Sequence, residues 1–271
     1  MSVDQSIAGR IESAAGRVGR NALGTLAGAR RFCAFVLAIF RSFKSLRFIR
    51  FGSLRVIILN QTRFTGIAAL PFVVLIAALA GGSVIIQGMT NLPKFGIEGY
   101  FGNLLVIIIA RELGPLVTAL IVISRSGTAI AAEIATQKWS REILSLEIIG
   151  IDPSLYIVFP RIMASTLSIF SLIIFFDIVA FLGGYFISLT TVYIPIDTFF
   201  GNLIAAFSLK DLLATVIKSL LFGMLIPLIC CYYGLRPVSK FEIPIYVSHA
   251  VSRTLFTVVL LNALVSVFFY F

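Results

Sequence analysis

Apolar stretches long enough to cross a lipid bilayer recur along this chain, and they limit its possible folds more than any other feature. The stretches from Ile67 to Ile86 and from Leu212 to Ile229 are almost continuously apolar. A helix needs about 20 such residues to cross the hydrocarbon core, and in such a run only a helix satisfies its own backbone hydrogen bonds. Mean hydropathy is +1.04 and only 13% of residues are charged, which excludes an ordinary soluble domain. We therefore predict an all-α membrane protein.

The hydrophobic pattern predicts five transmembrane helices joined by segments that contain Pro, Gly, Asn or charged residues. An odd number of spans places the two ends of the chain on opposite sides of the membrane. The predicted spans are residues 64–88, 102–124, 161–189, 211–233 and 250–271.

The segment before the first span divides into two parts. Residues 1–30 are rich in Gly and Arg and are predicted to be a mobile basic segment. In residues 31–63, apolar side chains such as Phe32, Phe35 and Ile39 recur at helical spacing among basic residues. We predict that this part is an amphipathic helix in the membrane interface, followed by an elbow into the five-span domain of residues 64–271.

Basic residues indicate the orientation of the chain. Residues 1–63 hold 11 of the 22 Lys and Arg residues and only two acidic ones. The connections after the second and fourth spans hold seven basic residues, whereas the other two connections hold only Lys94 and Lys210. The positive-inside rule then predicts a cytoplasmic amino terminus. A basic segment beside a membrane is better interpreted as a lipid-facing flank than as a nucleic-acid-binding arm, although an organelle transit peptide has a similar composition.

Four ionisable residues lie inside the predicted spans, where charge is costly and therefore indicates function. Arg111 and Glu112 lie about 15 Å into the second span, at about 1.5 Å per residue, and Gly114-Pro115 follows them. A proline there should kink the helix and leave backbone groups without partners. Sequence neighbours do not face each other on a helix, so the two side chains should point in different directions. They either line a polar cavity or form structural ion pairs.

The other two are Asp177 in the third span and Lys218 in the fourth. Counted from the span ends, both fall in the outer half of the membrane. A salt bridge between them would reduce the cost of burying either charge. We therefore predict a structural intramembrane pair, with a role in conducting substrate as the alternative.

The longest predicted cytoplasmic connection, residues 125–160, alternates charged and apolar residues and is typical of an amphipathic helix. Its apolar face either packs on the transmembrane bundle or docks a cytoplasmic partner, and the periodicity leaves both open. Within this connection, Asp152-Pro153 fits the start of the next helix.

Motifs for catalysis, cofactor binding and metal binding are missing from the sequence. There is no G-x-x-x-x-G-K-[ST] phosphate-binding loop, and a single histidine, His249, rules out an H-E-x-x-H zinc site. We expect a transmembrane subunit that is not itself an enzyme and binds no metal or cofactor.

Several motifs together resemble the MlaE/YrbE family of ABC-transporter permeases, which serve the MCE systems that move lipids between membranes. The similarity extends more weakly from Gln61 to Gly234. The motifs that carry it are Arg111-Glu112-Leu113-Gly114-Pro115, Arg125-Ser126-Gly127, Ala129-Ile130-Ala131-Ala132-Glu133, Gly150-Ile151-Asp152-Pro153 and Pro160-Arg161.

The resemblance implies a homodimer in the bacterial inner membrane that encloses a phospholipid cavity near Arg111 and Glu112. It also implies two cytoplasmic ATPase subunits, which bind ATP and Mg²⁺ and dock on residues 131–150. A ring of MCE-domain proteins would exchange lipid on the outer side. By position, the ATPase-coupling residues would be Glu133, Arg141, Glu142 and Glu147.

Two other classes of function fit the same residues. One is an autonomous ion or small-solute channel or secondary transporter that uses Glu112 and Asp177. The other is an assembly scaffold in which the buried charges are purely structural. Only the permease hypothesis requires a nucleotide-binding partner.

Overall fold

The computed structural model describes Gly28, residues 30–39, Arg41, and residues 51–95, 101–189 and 195–270. The chain divides into two units, Met1–Ile49 and Arg50–Phe271. In the first unit, Gly28, residues 30–39 and Arg41 are helical. Nearly all of the predicted mobile segment, and residues 42–50 of the predicted interfacial helix, lie outside the described residues.

In the described part of the second unit, all of the regular secondary structure is helical. Its 3-10 turns are Ile67–Ala69, Pro93–Phe95 and Lys240–Glu242. The helices are α1 (Phe51–Thr65), α2 (Leu70–Asn91), α3 (Phe101–Trp139), α4 (Glu142–Ile148), α5 (Phe159–Ser188), α6 (Ile196–Ala206), α7 (Leu209–Gly234) and α8 (Ile243–Tyr270).

Among the described residues, five helical segments are long and apolar enough to cross a membrane, which confirms the all-α, five-span prediction. The first segment starts earlier than predicted, because the turn Ile67–Ala69 keeps the chain helical between α1 and α2. Pro71 lies in the first turn of α2, where a missing N–H costs no hydrogen bond. The five segments are Arg55–Asn91, Phe101–Trp139, Ser154–Phe186, Leu209–Gly234 and Lys240–Tyr270.

Helix α3 is not a uniform α-helix. It contains two π-helical stretches, Val106–Leu113 and Ile123–Gly127. A third stretch, Ser154–Val158, precedes α5. Such stretches insert extra residues into the helical turn and often occur at functional sites.

Small residues allow α2 and α5 to approach each other closely. A Cβ atom on Gly81 would lie 2.0 Å from the carbonyl oxygen of Ala180, and one on Gly184 would lie 2.8 Å from the carbonyl carbon of Gly81. Close backbone contact between small residues is a common basis of helix association in membranes. Ile173 and Phe176 of α5 are fully buried, and α5 also packs against α1, α3 and α7, so it is a central packing helix of this unit.

Candidate functional site: a polar network inside the helix bundle

Arg111 and Glu112 lie in the π-helical stretch Val106–Leu113, directly before Gly114 and Pro115. Pro115 has no N–H to donate to the carbonyl four residues earlier, which belongs to Arg111. The Lys218 ammonium group of α7 donates a hydrogen bond to this carbonyl. A side chain from another helix therefore satisfies a backbone group that the proline leaves without its usual partner.

Arg111 forms an ion pair with Asp211 and stacks on Tyr270; we call these three residues the Arg111 cluster. The Arg111 Nε atom lies 2.7 Å from Asp211 Oδ1, and the guanidinium carbon lies 4.3 Å from the centre of the Tyr270 ring. The Tyr270 hydroxyl donates to Asp211 Oδ1 at 2.9 Å. Because the three residues belong to α3, α7 and α8, the cluster joins three of the five spans.

Asp211 also caps the helix that carries it. Its Oδ2 atom accepts a hydrogen bond from the Ser208 backbone N–H at 2.9 Å, as part of a capping box. The side chain is 1% exposed, so its charge is compensated almost entirely by protein groups. A buried charge of this kind needs such partners, and removing Arg111 would leave it with neutral donors alone.

Glu112 binds a different set of partners, Lys218, Asn262 and Ser266, which with it form the Glu112 cluster. The Asn262 side chain donates to Glu112 Oε2 at 2.6 Å, and Lys218 Nζ lies 3.4 Å from Glu112 Oε1. The Ser266 hydroxyl donates to the same Oε1 atom and accepts from Lys218 Nζ at 2.8 Å. Like the Arg111 cluster, this network joins α3, α7 and α8.

The two neighbours on α3 therefore have separate partners, as predicted from their spacing. The sequence analysis did not predict the partners of Arg111 and Glu112 that the structure shows, namely Asp211, Asn262, Ser266 and Tyr270. Asn262 could have been found, because an amide within an apolar span needs a hydrogen-bond partner just as a charge does.

The predicted salt bridge between Asp177 and Lys218 is wrong. Lys218 is 1% exposed and pairs with Glu112, whereas Asp177 Oδ1 is buried without a hydrogen-bond partner among the described residues. Similar depth in the membrane does not determine which way a side chain faces. The Asp177 carboxyl packs instead against α3, where a Cβ on Gly114 would lie 2.3 Å from Oδ1.

The end of α3 that leads into the predicted coupling segment is attached to two other helices. Glu133 forms a 2.8 Å ion pair with Arg161 of α5, whose side chain is 7% exposed. Lys138 donates to the carbonyl of Leu235, which follows α7. Glu133, predicted to couple to an ATPase, thus directly contacts α5.

Helix α4 follows a tight turn in which Arg141 has a φ of 64°. The helix ends at Ile148, and Gly150, two residues further on, has a φ of 83°. There the N–H groups of Gly150 and Ile151 bond to the carbonyls of Glu147 and Leu146, which is the Schellman arrangement. These two turns define α4 as a short, separate helix within the predicted coupling segment.

Helix α4 packs through one apolar side chain and leaves others uncovered. Ile143 is buried, whereas Ile148 is 77% exposed and Ile149 is 72% exposed. The three predicted coupling residues on this segment, Arg141, Glu142 and Glu147, are also exposed. Of the apolar residues that form the predicted pattern, Ile143 therefore packs against the protein, whereas Ile148 and Ile149 are exposed.

A cavity of about 480 Å³ lies between α2 and α3, away from both clusters. Its lining is apolar apart from the side-chain amides of Gln87 and Asn91. Neither Arg111 nor Glu112 lines it, so their predicted place in a lipid cavity between two subunits stays a prediction. Other lining residues include Val84, Phe101, Leu105 and Ile108.

A comparison with known protein families identifies the family of this chain. The family model described as permease MlaE matches residues 58–268, which includes all of both clusters except Tyr270. The chain belongs to the MlaE permease family. It is therefore a multi-pass membrane protein of the ABC-permease type, as the motifs around Arg111 indicated.

Individual relatives agree with membership of the MlaE family. A protein of Haemophilus influenzae named intermembrane phospholipid transport system permease protein MlaE is 28% identical over 231 residues, covering 81% of this chain and 87% of the relative. A probable ABC transporter permease protein of Rickettsia typhi is 30% identical over 178 residues, covering 66% of this chain and 69% of the relative. The chloroplastic protein TRIGALACTOSYLDIACYLGLYCEROL 1 of Arabidopsis thaliana is 30% identical over 176 residues, covering 65% and 50% respectively.

Proposed function

We propose that this chain is the membrane subunit of an ABC transporter that moves phospholipid between the inner membrane and an outer-side MCE-domain protein. The observation that carries the proposal is the match of residues 58–268 to permease MlaE. The name of the Haemophilus relative adds intermembrane phospholipid transport as the activity. The orientation follows from the distribution of basic residues, with the amino terminus and α4 in the cytoplasm.

In this proposal, two copies of the chain enclose an apolar cavity, and their closure moves a phospholipid toward the outer side. The Arg111 and Glu112 clusters join α3, α7 and α8, so these three helices would move together. Arg111 is 21% exposed, and a phosphate group could bind the part of its guanidinium that Asp211 leaves uncovered. Its ion pair with Asp211 would then keep it in position when no lipid is bound.

Energy would come from a separate cytoplasmic ATPase dimer that binds ATP and Mg²⁺, because this chain lacks a phosphate-binding loop. We assign its docking surface to α4, where exposed apolar side chains adjoin the exposed charges of Arg141, Glu142 and Glu147. Movement of this surface would reach α5 through Glu133 and Arg161, and α7 through Lys138 and Leu235.

Substitution of Ile148 tests this docking surface. Ile148→Asp places a charge in the centre of the proposed interface, and we expect it to weaken ATPase association about tenfold or more, as for a central apolar contact. The fold should be unaffected because the side chain is 77% exposed. The tagged chain is purified in mild detergent, and the ATPase and phospholipid that accompany it are quantified by mass spectrometry.

Ile148→Leu is the matched control and should retain the ATPase, because it preserves an apolar side chain at the same position. Equal recovery of the ATPase with Ile148→Asp would contradict the assigned surface. A homo-oligomer that carries neither ATPase nor phospholipid would contradict the function itself and favour an autonomous channel or a scaffold.

A further inference from the structure

Asp177 lies within α5, in the span Ser154–Phe186, and differs from three other acidic side chains that lie within the spans. Asp211 is paired with Arg111, Glu112 with Lys218, and Glu133 with Arg161. The Asp177 residue is half-buried, and its Oδ1 atom is closed off from the surface without a hydrogen-bond partner among the described residues. It is therefore an acidic group to which the bundle offers no compensating charge.

The position of this carboxyl group depends on a glycine. Gly114 is the first residue of α3 after the π-helical stretch Val106–Leu113. An added Cβ at Gly114 would lie 2.3 Å from Asp177 Oδ1 and 3.3 Å from its Cγ atom. The lack of a side chain at this position allows the carboxyl to pack directly against the backbone of α3.

The charged groups on the helices around Asp177 are either paired with another residue or lie far from Asp177 along those helices. In the described residues, α2 and the stretch Gly114–Val122 of α3 carry no charged residue at all. Arg111 and Lys218 are bound to Asp211 and Glu112. On α3, Arg125 and Lys138 lie more than ten residues beyond Gly114. The remaining titratable groups on elements packed against α5 lie toward helix ends, namely Arg55, Arg63, Tyr156, Asp197, Lys210, Cys230, Cys231, Tyr232 and Tyr233.

We propose that Asp177 is a proton-binding site of the permease. An ionised carboxylate without a cation is strongly disfavoured in an apolar environment, so the side chain is a neutral carboxylic acid while α5 packs against α3. When the helices separate and water enters, the carboxyl O–H bond breaks. The proton passes to water, and a solvated carboxylate remains. The state of the α3–α5 contact is thereby linked to proton concentration, whatever cargo the permease carries.

Infrared spectroscopy of the full chain in lipid nanodiscs at neutral pH tests this proposal. The C=O stretch of a carboxylic acid is distinct from the bands of a carboxylate. We expect one acid band that shifts when aspartate is labelled with ¹³C at its side-chain carboxyl. This band should be lost in Asp177→Asn and retained in Asp197→Asn, which changes an exposed aspartate in the first turn of α6.

A second variant assigns the band without removing the carboxyl group. Gly114→Ala presses a methyl group against Asp177 Oδ1 and should shift the acid band while leaving the carboxylate bands unchanged. The absence of an aspartic acid band in the labelled wild type would overturn the proposal. So would a band that persists in Asp177→Asn or does not respond to Gly114→Ala. None of these outcomes depends on lipid transport, so failure here and failure of the proposed function are distinguishable.

Discussion

Replacing Lys218 with Met is expected to lower the free energy of unfolding by about 3 kcal/mol, as is typical when one partner of a buried ion pair is removed. The ammonium group satisfies Glu112, Ser266 and the Arg111 carbonyl at once. Met fills much of the same volume but donates no hydrogen bond. The change leaves Glu112 without its cation and the Arg111 carbonyl without its donor. Reversible unfolding in mixed micelles measures the loss.

Double substitutions identify the partner of Lys218. In Lys218→Met combined with Glu112→Gln, part of the loss should be recovered, because no carboxylate remains without a cation. Lys218→Met combined with Asp177→Asn should recover nothing, because Asp177 belongs to a different contact. Recovery with Asp177→Asn but not with Glu112→Gln would contradict the Glu112 cluster and restore the pairing predicted from the sequence.

Gly81→Ala is expected to be the most disruptive single-methyl addition in the bundle. The new Cβ would lie 2.0 Å from the backbone carbonyl of Ala180, and a backbone atom cannot rotate away as a side chain can. Helices α2 and α5 would have to separate, with a loss of about 3 kcal/mol, at the upper end of the usual range for overpacking. The same unfolding measurement in micelles reports it.

Gly201→Ala is the matched control, because Gly201 also lies within a helix, α6, and an added Cβ there would contact nothing within 4 Å. It should be neutral or stabilising, by up to about 1 kcal/mol, because alanine is the better helix former. Equal effects of the two substitutions would mean that α2 and α5 do not pack through this glycine.

The five spans could be predicted from the sequence, because the hydropathy and length of each apolar stretch determine them. The direction in which a charge faces could not, because residues at a similar height on two helices need not face each other, as Asp177 of α5 and Lys218 of α7 do not. Within α3 there is a second reason. Projection onto a helical wheel assumes 3.6 residues per turn. The π-helical stretches Val106–Leu113 and Ile123–Gly127 break that period within α3. Residues beyond each stretch are therefore rotated away from the faces that an ideal helix would give them.

The coupling segment shows a similar division between what was predictable and what was not. Its amphipathic pattern was visible in the sequence, and Gly150 is an ordinary helix stop. The left-handed backbone of Arg141 was not predictable, because residues other than glycine rarely adopt positive φ. That turn separates α4 from α3. The charges of Glu133 and Arg161 meet only through tertiary packing, 28 positions apart in sequence.

Reconstitution of ATP-dependent lipid movement tests the central claim most directly. The chain and its co-purified ATPase are placed in vesicles that contain a labelled phospholipid, and transfer to a soluble outer-side MCE-domain acceptor is followed. Transfer should require ATP and Mg²⁺, and it should be lost with a non-hydrolysable ATP analogue and with Ile148→Asp. Transfer that proceeds equally without ATP, or solute flux through the chain alone, would contradict an ATP-driven phospholipid permease.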